Sequence, residues 1–239
     1  MAVTAVYFVA AAHNAPGVAE LTDRLIRAFD PVPAGNWGLH HRSFRSTPQN
    51  TTDKSPPHFQ HVLALGHYPD RAFVHIAGPD QQQDQQQQDH QQQQQPSTVA
   101  IPLQQMEQYS QLLSLKFGAL WMYRMGSQVG VGASYSVGEF TVRLGELREK
   151  GGQNALRGTV VCIQTAKQES RPDEGEAPSA RIDADEELQA GQALVRDVWS
   201  RFSVPQFKET ITSRPAAPEA DDQLFDEVRL WCEALRFQK

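Results

Sequence analysis

The sequence has 239 residues, 22 of them basic and 28 acidic, for a formal charge of −6; that is room for one sizeable core, and no basic block marks the chain as a direct binder of nucleic acid. Its two cysteines, Cys162 and Cys232, stand far apart with no CxxC pair, which argues against a disulfide-stapled secreted fold and for a reducing compartment. The apolar stretch at 1–12 has no basic region ahead of it, and like every other apolar run it is too short to span a membrane, so neither a signal peptide nor a membrane contact is expected.

In chain order, residues 4–11 concentrate Val, Tyr and Phe in a short run and predict a buried strand. Val18, Leu21, Leu25, Ile26 and Phe29 then repeat at helical spacing and stop before Pro31, which predicts an amphipathic helix. Residues 37–45 read as a strand, and 59–68 with 71–77 as a hairpin turning at Pro69-Asp70. Residues 80–97 carry a Gln run broken only by Asp84, Asp89 and His90; too polar to offset its ordering entropy, this stretch is expected to be a disordered insertion. A short strand at 98–103 and a helix over 104–117, with Met106, Tyr109, Leu112, Leu113 and Phe117 as its apolar positions, come next. Three strand-like runs at 119–131, 135–148 and 156–167, divided by Gly-rich joints at 130–133 and 151–152, predict an antiparallel meander. An acidic loop at 168–183 precedes two closing helices, one with Leu194, Val198 and Trp199, the other with Leu224, Val228 and Trp231. The order predicts one α+β domain over 1–239: a largely antiparallel, β-barrel-like sheet flanked by three to four helices.

Chemistry is sparse. His40-His41 and His58-x-x-His61 are the closest histidine groupings. Adjacent strand residues face opposite sides, so they are expected to be surface or edge histidines rather than metal ligands. Gly130-x-Gly132 opens like a dinucleotide fingerprint, but Tyr135 stands at the third glycine position and a strand follows, so a turn is expected. Ser134 and Ser136 have no local base, Glu139, Glu146 and Glu149 form no close pair, and Glu174-x-Glu176 and Asp183-x-Asp185 fall in or beside the acidic loop. No catalytic, cofactor-binding or metal-binding residue is assigned.

The meander carries a resemblance. GASYSVGEFTVRLGELR at 132–148, followed by LRGTVV at 156–161, resembles the central block of the Mediator subunit 20 family in its fungal form. MAVTAVYF at 1–8 is similar to that family's start, and Asp197-Val198-Trp199 and the helix with Leu224, Phe225 and Leu230 resemble its ending. The resemblance implies a β-barrel with flanking helices, similar to the barrels of tunnel-type RNA triphosphatases. It also implies a nuclear, non-enzymatic coactivator subunit of the Mediator head module. Its partners would be Mediator subunit 18 in a heterodimer and subunit 8 as tether, with RNA polymerase II reached indirectly. A barrel enzyme of the triphosphatase type would need Glu-x-Glu pairs on strands, where alternate residues share one lumen; none is found on the predicted strands. A small-molecule carrier would need an unfilled apolar lumen.

Strand parity adds candidate residues. An antiparallel strand with one wet face alternates apolar and polar. Residues 119–125 and 160–163 do not: Leu120 and Met122 oppose Trp121 and Tyr123, and Val160 and Cys162 oppose Val161 and Ile163. A partner is therefore expected to cover one face. Leu120, Trp121, Met122, Tyr123, Val161 and Ile163 are the interface candidates, with Arg143 at the partner's rim.

Overall fold

The computed structural model describes residues 3–47, 57–78, 97–151, 153–165, 180–214 and 220–236, with side chains from 185 and 223 onward in the last two. The Gln-rich stretch lies outside the described residues apart from Ser97, and so does the acidic loop apart from 180–183, which begin a helix. The described elements are β1 (Thr4–Ala10), α1 (Val18–Phe29), β2 (Val32–Ser46), β3 (Phe59–Leu65), β4 (Arg71–Ala77), β5 (Ser97–Pro102), α2 (Met106–Leu115), β6 (Trp121–Val137), β7 (Phe140–Glu149), β8 (Leu156–Thr165), α3 (Ala180–Ser200), β9 (Lys208–Ile211) and α4 (Ala220–Ala234). A 3-10 turn, Leu103–Gln105, leads into α2.

The nine strands form one sheet in the order β5-β4-β3-β2-β6-β7-β8-β1-β9. β5 and β9 are its two edges, so the barrel-like sheet that the sequence predicts is open and not closed. The chain divides into two compact units, Met1–Gly38 with Val129–Lys239, and Leu39–Gln128.

In the first unit β1 lies between β8 and β9, antiparallel to both, with Tyr7 opposite Val161 and Glu209. Alternation puts Ala5, Tyr7 and Val9 on one face beside Val142 and Leu144 of β7 and Val161 and Ile163 of β8. Leu21 and Leu25 of α1 and Val195, Val198 and Trp199 of α3 close this face into the main core. The indole of Trp199 stacks on the Tyr7 ring at 4.1 Å, and Phe202 stacks on Trp199 at 5.2 Å. Each such buried side chain is worth about 1.5–3 kcal/mol in transfer terms. The other face carries Trp37, packed on Trp231 of α4 at 5.9 Å, and Cys162, which faces Glu227 of α4. Both faces of β8 are thus covered by the chain's own helices, so its unbroken apolar run reflects an internal strand and needs no partner.

Two local devices hold these layers. Arg24 of α1 donates to the carbonyls of Phe202 and Ser203, in the turn that follows α3. A slot in β6 and β7 receives Trp37, whose indole N–H donates to the Leu144 carbonyl at 2.9 Å. A Cβ on Gly132 would overlap Trp37 Nε1 and the Leu144 oxygen, and one on Gly145 would overlap Val129 Cγ1. The predicted joint at 130–133 is therefore mid-strand in β6, and its Gly132 is there for close approach. The β6–β7 turn falls at Gly138, at φ 54, where a glycine is free of the steric cost of the left-handed region.

In the second unit β2, β3, β4 and β5 pair antiparallel in sequence. α2 lays Met106 and Leu113 onto Phe44, Val62, Ala64 and Ala72. Gln60 donates to the Tyr109 hydroxyl, and Arg42 pairs with Glu107, so α2 is also pinned by polar contacts.

Candidate protein-interaction surface

α2 buries Met106, Ser110 and Leu113 against its sheet, a stripe at the spacing of one helix face. Leu112 and Leu115 lie off that stripe and are exposed, Leu115 by 80%. The chain then turns sharply. The amides of Lys116 and Phe117 donate to the Leu112 carbonyl, and those of Leu120 and Trp121 to the Phe117 carbonyl. The turn delivers the chain to β6, where the Thr47 amide donates to the Leu120 carbonyl. Trp121 packs on the α2 core and Tyr123 meets Phe44 edge-on at 5.6 Å. Around this turn Leu112, Leu115, Phe117, Leu120, Met122 and Tyr123 are exposed, with Leu120 and Met122 on the face of β6 opposite to Trp121 and Tyr123.

The residues that sequence patterning assigns to an interface separate accordingly. Leu120, Met122 and Tyr123 are 42%, 51% and 47% exposed, and Trp121 is half-buried among them. Val161 and Ile163 are wholly buried in the chain's own core, so they leave the candidate surface. Arg143 is half-buried on the face that carries Cys162 and donates to Gln164 at 3.1 Å, rather than reaching solvent. Leu112, Leu115 and Phe117 were not singled out as surface residues. Leu112 and Phe117 belong to the stripe that helical spacing predicts, of whose later half only Leu113 is buried.

The histidines also differ from expectation. His41, His61 and His75 lie on neighbouring strands and are all buried. His41 Nε2 and His61 Nδ1 are 2.9 Å apart, and the His61 and His75 rings lie 6.2 Å apart. His75 Nδ1 is 2.9 Å from the Thr98 hydroxyl. Register brings them together: His61 is paired with His75, and His41, opposite Leu63, sits two positions along from the Ser43–His61 pair and so on the same face. Sequence spacing on a single strand carries no sign of this. Burial lowers the pKa of His41 to about 4, which keeps the ring neutral. Among the described residues no group of three metal-ligating side chains is found. Burial likewise raises the thiol of Cys162 to about 12 and that of Cys232 as well, so neither is a ready nucleophile at neutral pH. Among the described residues no helix is long and apolar enough to cross a membrane.

Fold and surface thus define an α+β sheet protein that presents apolar side chains outward and keeps three histidines, His41, His61 and His75, and both thiols buried. A family model described as TATA-binding related factor (TRF) of subunit 20 of Mediator complex matches residues 1–236. The chain belongs to the Mediator subunit 20 family, which places it in the Mediator complex and in transcription regulation. No curated protein matches the chain. Among solved structures, a protein from Pyrococcus horikoshii OT3 aligns over 95% of this chain and 99% of its own, at 15% identity and a TM-score of 0.43. A Hippeastrum protein described as an adenylyl cyclase with a dominant triphosphatase activity aligns over 87% of this chain and 90% of its own, at 9% identity and a TM-score of 0.40. Likenesses this distant bear on neither the fold nor the activity of the chain.

Proposed function

We propose that the chain is a nuclear, non-enzymatic subunit of the Mediator head module that heterodimerises with Mediator subunit 18, is tethered through subunit 8, and helps pass regulatory signals to RNA polymerase II. The observation that carries this is the family match over residues 1–236. Exposed apolar side chains on this end of β6, Leu120 and Met122 on one face and Tyr123 beside half-buried Trp121 on the other, support it: exposed large apolar side chains grouped in one segment are a mark of an interaction site. Co-expression with subunit 18, followed by size exclusion with light scattering, tests the proposal. The expected result is a one-to-one pair more soluble than the chain alone. A clean, stable monomer with no affinity for subunit 18 overturns it.

A further inference from the structure

We infer that β5 is a self-pairing edge, through which two copies of this chain associate about a two-fold axis at Val99. Of the sheet's two edges, β9 is the guarded one. It is four residues long and carries Lys208 and Glu209, with Lys208 donating to the carbonyls of Glu233 and Arg236. Shortness and charge are what keep natural edges from pairing. β5, Ser97–Pro102, has no charged side chain, and no described strand pairs with its outer side. Ser97, Val99 and Ala100 are exposed, Val99 by 54%.

Register decides which backbone groups this edge offers. Arg71 stands opposite Pro102, and at the next pair along the Leu103 amide donates to the Asp70 carbonyl. Hydrogen-bonded and non-hydrogen-bonded pairs alternate along an antiparallel ladder. Ile101, Val99 and Ser97 therefore turn their N–H and C=O groups toward β4, and Thr98, Ala100 and Pro102 turn theirs outward. Pro102, which has no N–H, falls on the side where a strand tolerates a proline. The outward amides are thus those of Thr98 and Ala100, the two neighbours of Val99. A second copy turned about Val99 sets Thr98 opposite Ala100 and Ala100 opposite Thr98. Each pair exchanges two backbone hydrogen bonds, so every outward amide of both copies is satisfied. The same turn brings the two Val99 side chains together as a non-hydrogen-bonded pair, covering an apolar group that each copy alone leaves in water. A charged strand turned on itself would meet its own charge; β5 is neutral and does not.

Sedimentation of the full chain across a concentration series tests this. So short a pairing implies a weak, reversible dimer, with a Kd on the order of 10 μM or above. No larger species should form, because pairing uses up the edge. Val99→Lys puts a charge at the axis, and Ala100→Pro removes an outward amide while leaving the ladder to β4 whole. Each should weaken the dimer by about tenfold or more. Leu115→Asp, at the exposed end of α2, should leave it unchanged. Val99→Cys gives an independent reading, since opposed residues of a non-hydrogen-bonded pair have Cα atoms about 4.5 Å apart, within disulfide range. Mild oxidation should link two copies of Val99→Cys and not of Ser97→Cys; the chain's own cysteines are buried. If one edge variant does not fold, as its melt shows, the other and the cysteine pair decide. A chain that stays monomeric throughout, growth beyond the dimer, or a dimer that survives the edge variants or is lost in Leu115→Asp overturns the inference. So does Val99→Cys linking no better than Ser97→Cys. None of these readings involves subunit 18, so failure here leaves the heterodimer standing, and the reverse.

Discussion

Trp37 shows how much one side chain asks of its neighbours. Its indole N–H is satisfied by the Leu144 carbonyl, its ring lies where a Cβ at 132 would be, and a Cβ at 145 would overlap Val129 beside it. Gly132→Ala or Gly145→Ala should therefore displace the ring or spread β6 from β7. Overpacking of this kind costs about 1–3 kcal/mol. In a chain of this length that lowers the melting temperature by about 2–4 °C per kcal/mol. Thermal melts of the two variants measure it, and an unchanged melting temperature would mean that the slot has slack. Tyr7 is similarly constrained: it stacks on Trp199 while its hydroxyl donates to Glu209 at 3.0 Å, and Arg196 holds the same carboxylate. Burial, reinforced by the Glu209 charge, raises the Tyr7 pKa, so the hydroxyl remains a donor. These contacts join residues from the opening, the middle and the end of the stretches that resemble the subunit 20 family, which pack on one another.

Among the elements, the hairpins β2–β3 and β3–β4 carry a pH dependence. His41 has its pKa lowered by burial from 6.5 to about 4. Above pH 6.5 the ring is neutral folded or unfolded, and its contribution to stability is complete. As pH falls the unfolded chain takes up the proton first, so that contribution is lost progressively down to about pH 4. Carboxylates also titrate near the lower end, so the informative quantity is the difference between parent and His41→Gln. Melts across this range should show a shallower loss for the variant, and parallel curves would remove His41 as the cause. The elements themselves were largely legible. β1, α1, β3, β4 and the closing helices follow from period and punctuation, because each buries a face of its own sequence pattern. What was not legible came from neighbours in space. The histidine row depends on cross-strand register, the mid-strand Gly132 on a tryptophan far away in sequence, and the exposed leucines of α2 on which of two overlapping leucine stripes met the sheet. β9, four residues long, is too short to leave a pattern.

For the molecule as a whole, the absence of hydrolase activity is a direct expectation. No described strand carries a Glu-x-Glu pair, the arrangement by which one strand face could hold a divalent ion in a lumen. Purified protein should release no phosphate from triphosphate-ended RNA with manganese present. Turnover abolished by Glu139→Gln or Glu146→Gln would show an enzyme. The position of β1 also has a consequence in time. Its partners in the sheet are β8 and β9, and the Thr4 amide bonds to Thr212, 208 residues later. During synthesis at about 5–20 residues per second, β1 therefore waits, on the order of ten seconds or more, for both of its neighbours to be made. Throughout that interval Val6, Tyr7 and Phe8 form an apolar strand with two open edges, an invitation to wrong pairings. A nascent chain of this kind depends on chaperones around β1 more than around β9, and translation that stalls before β9 leaves one edge of β1 unsealed.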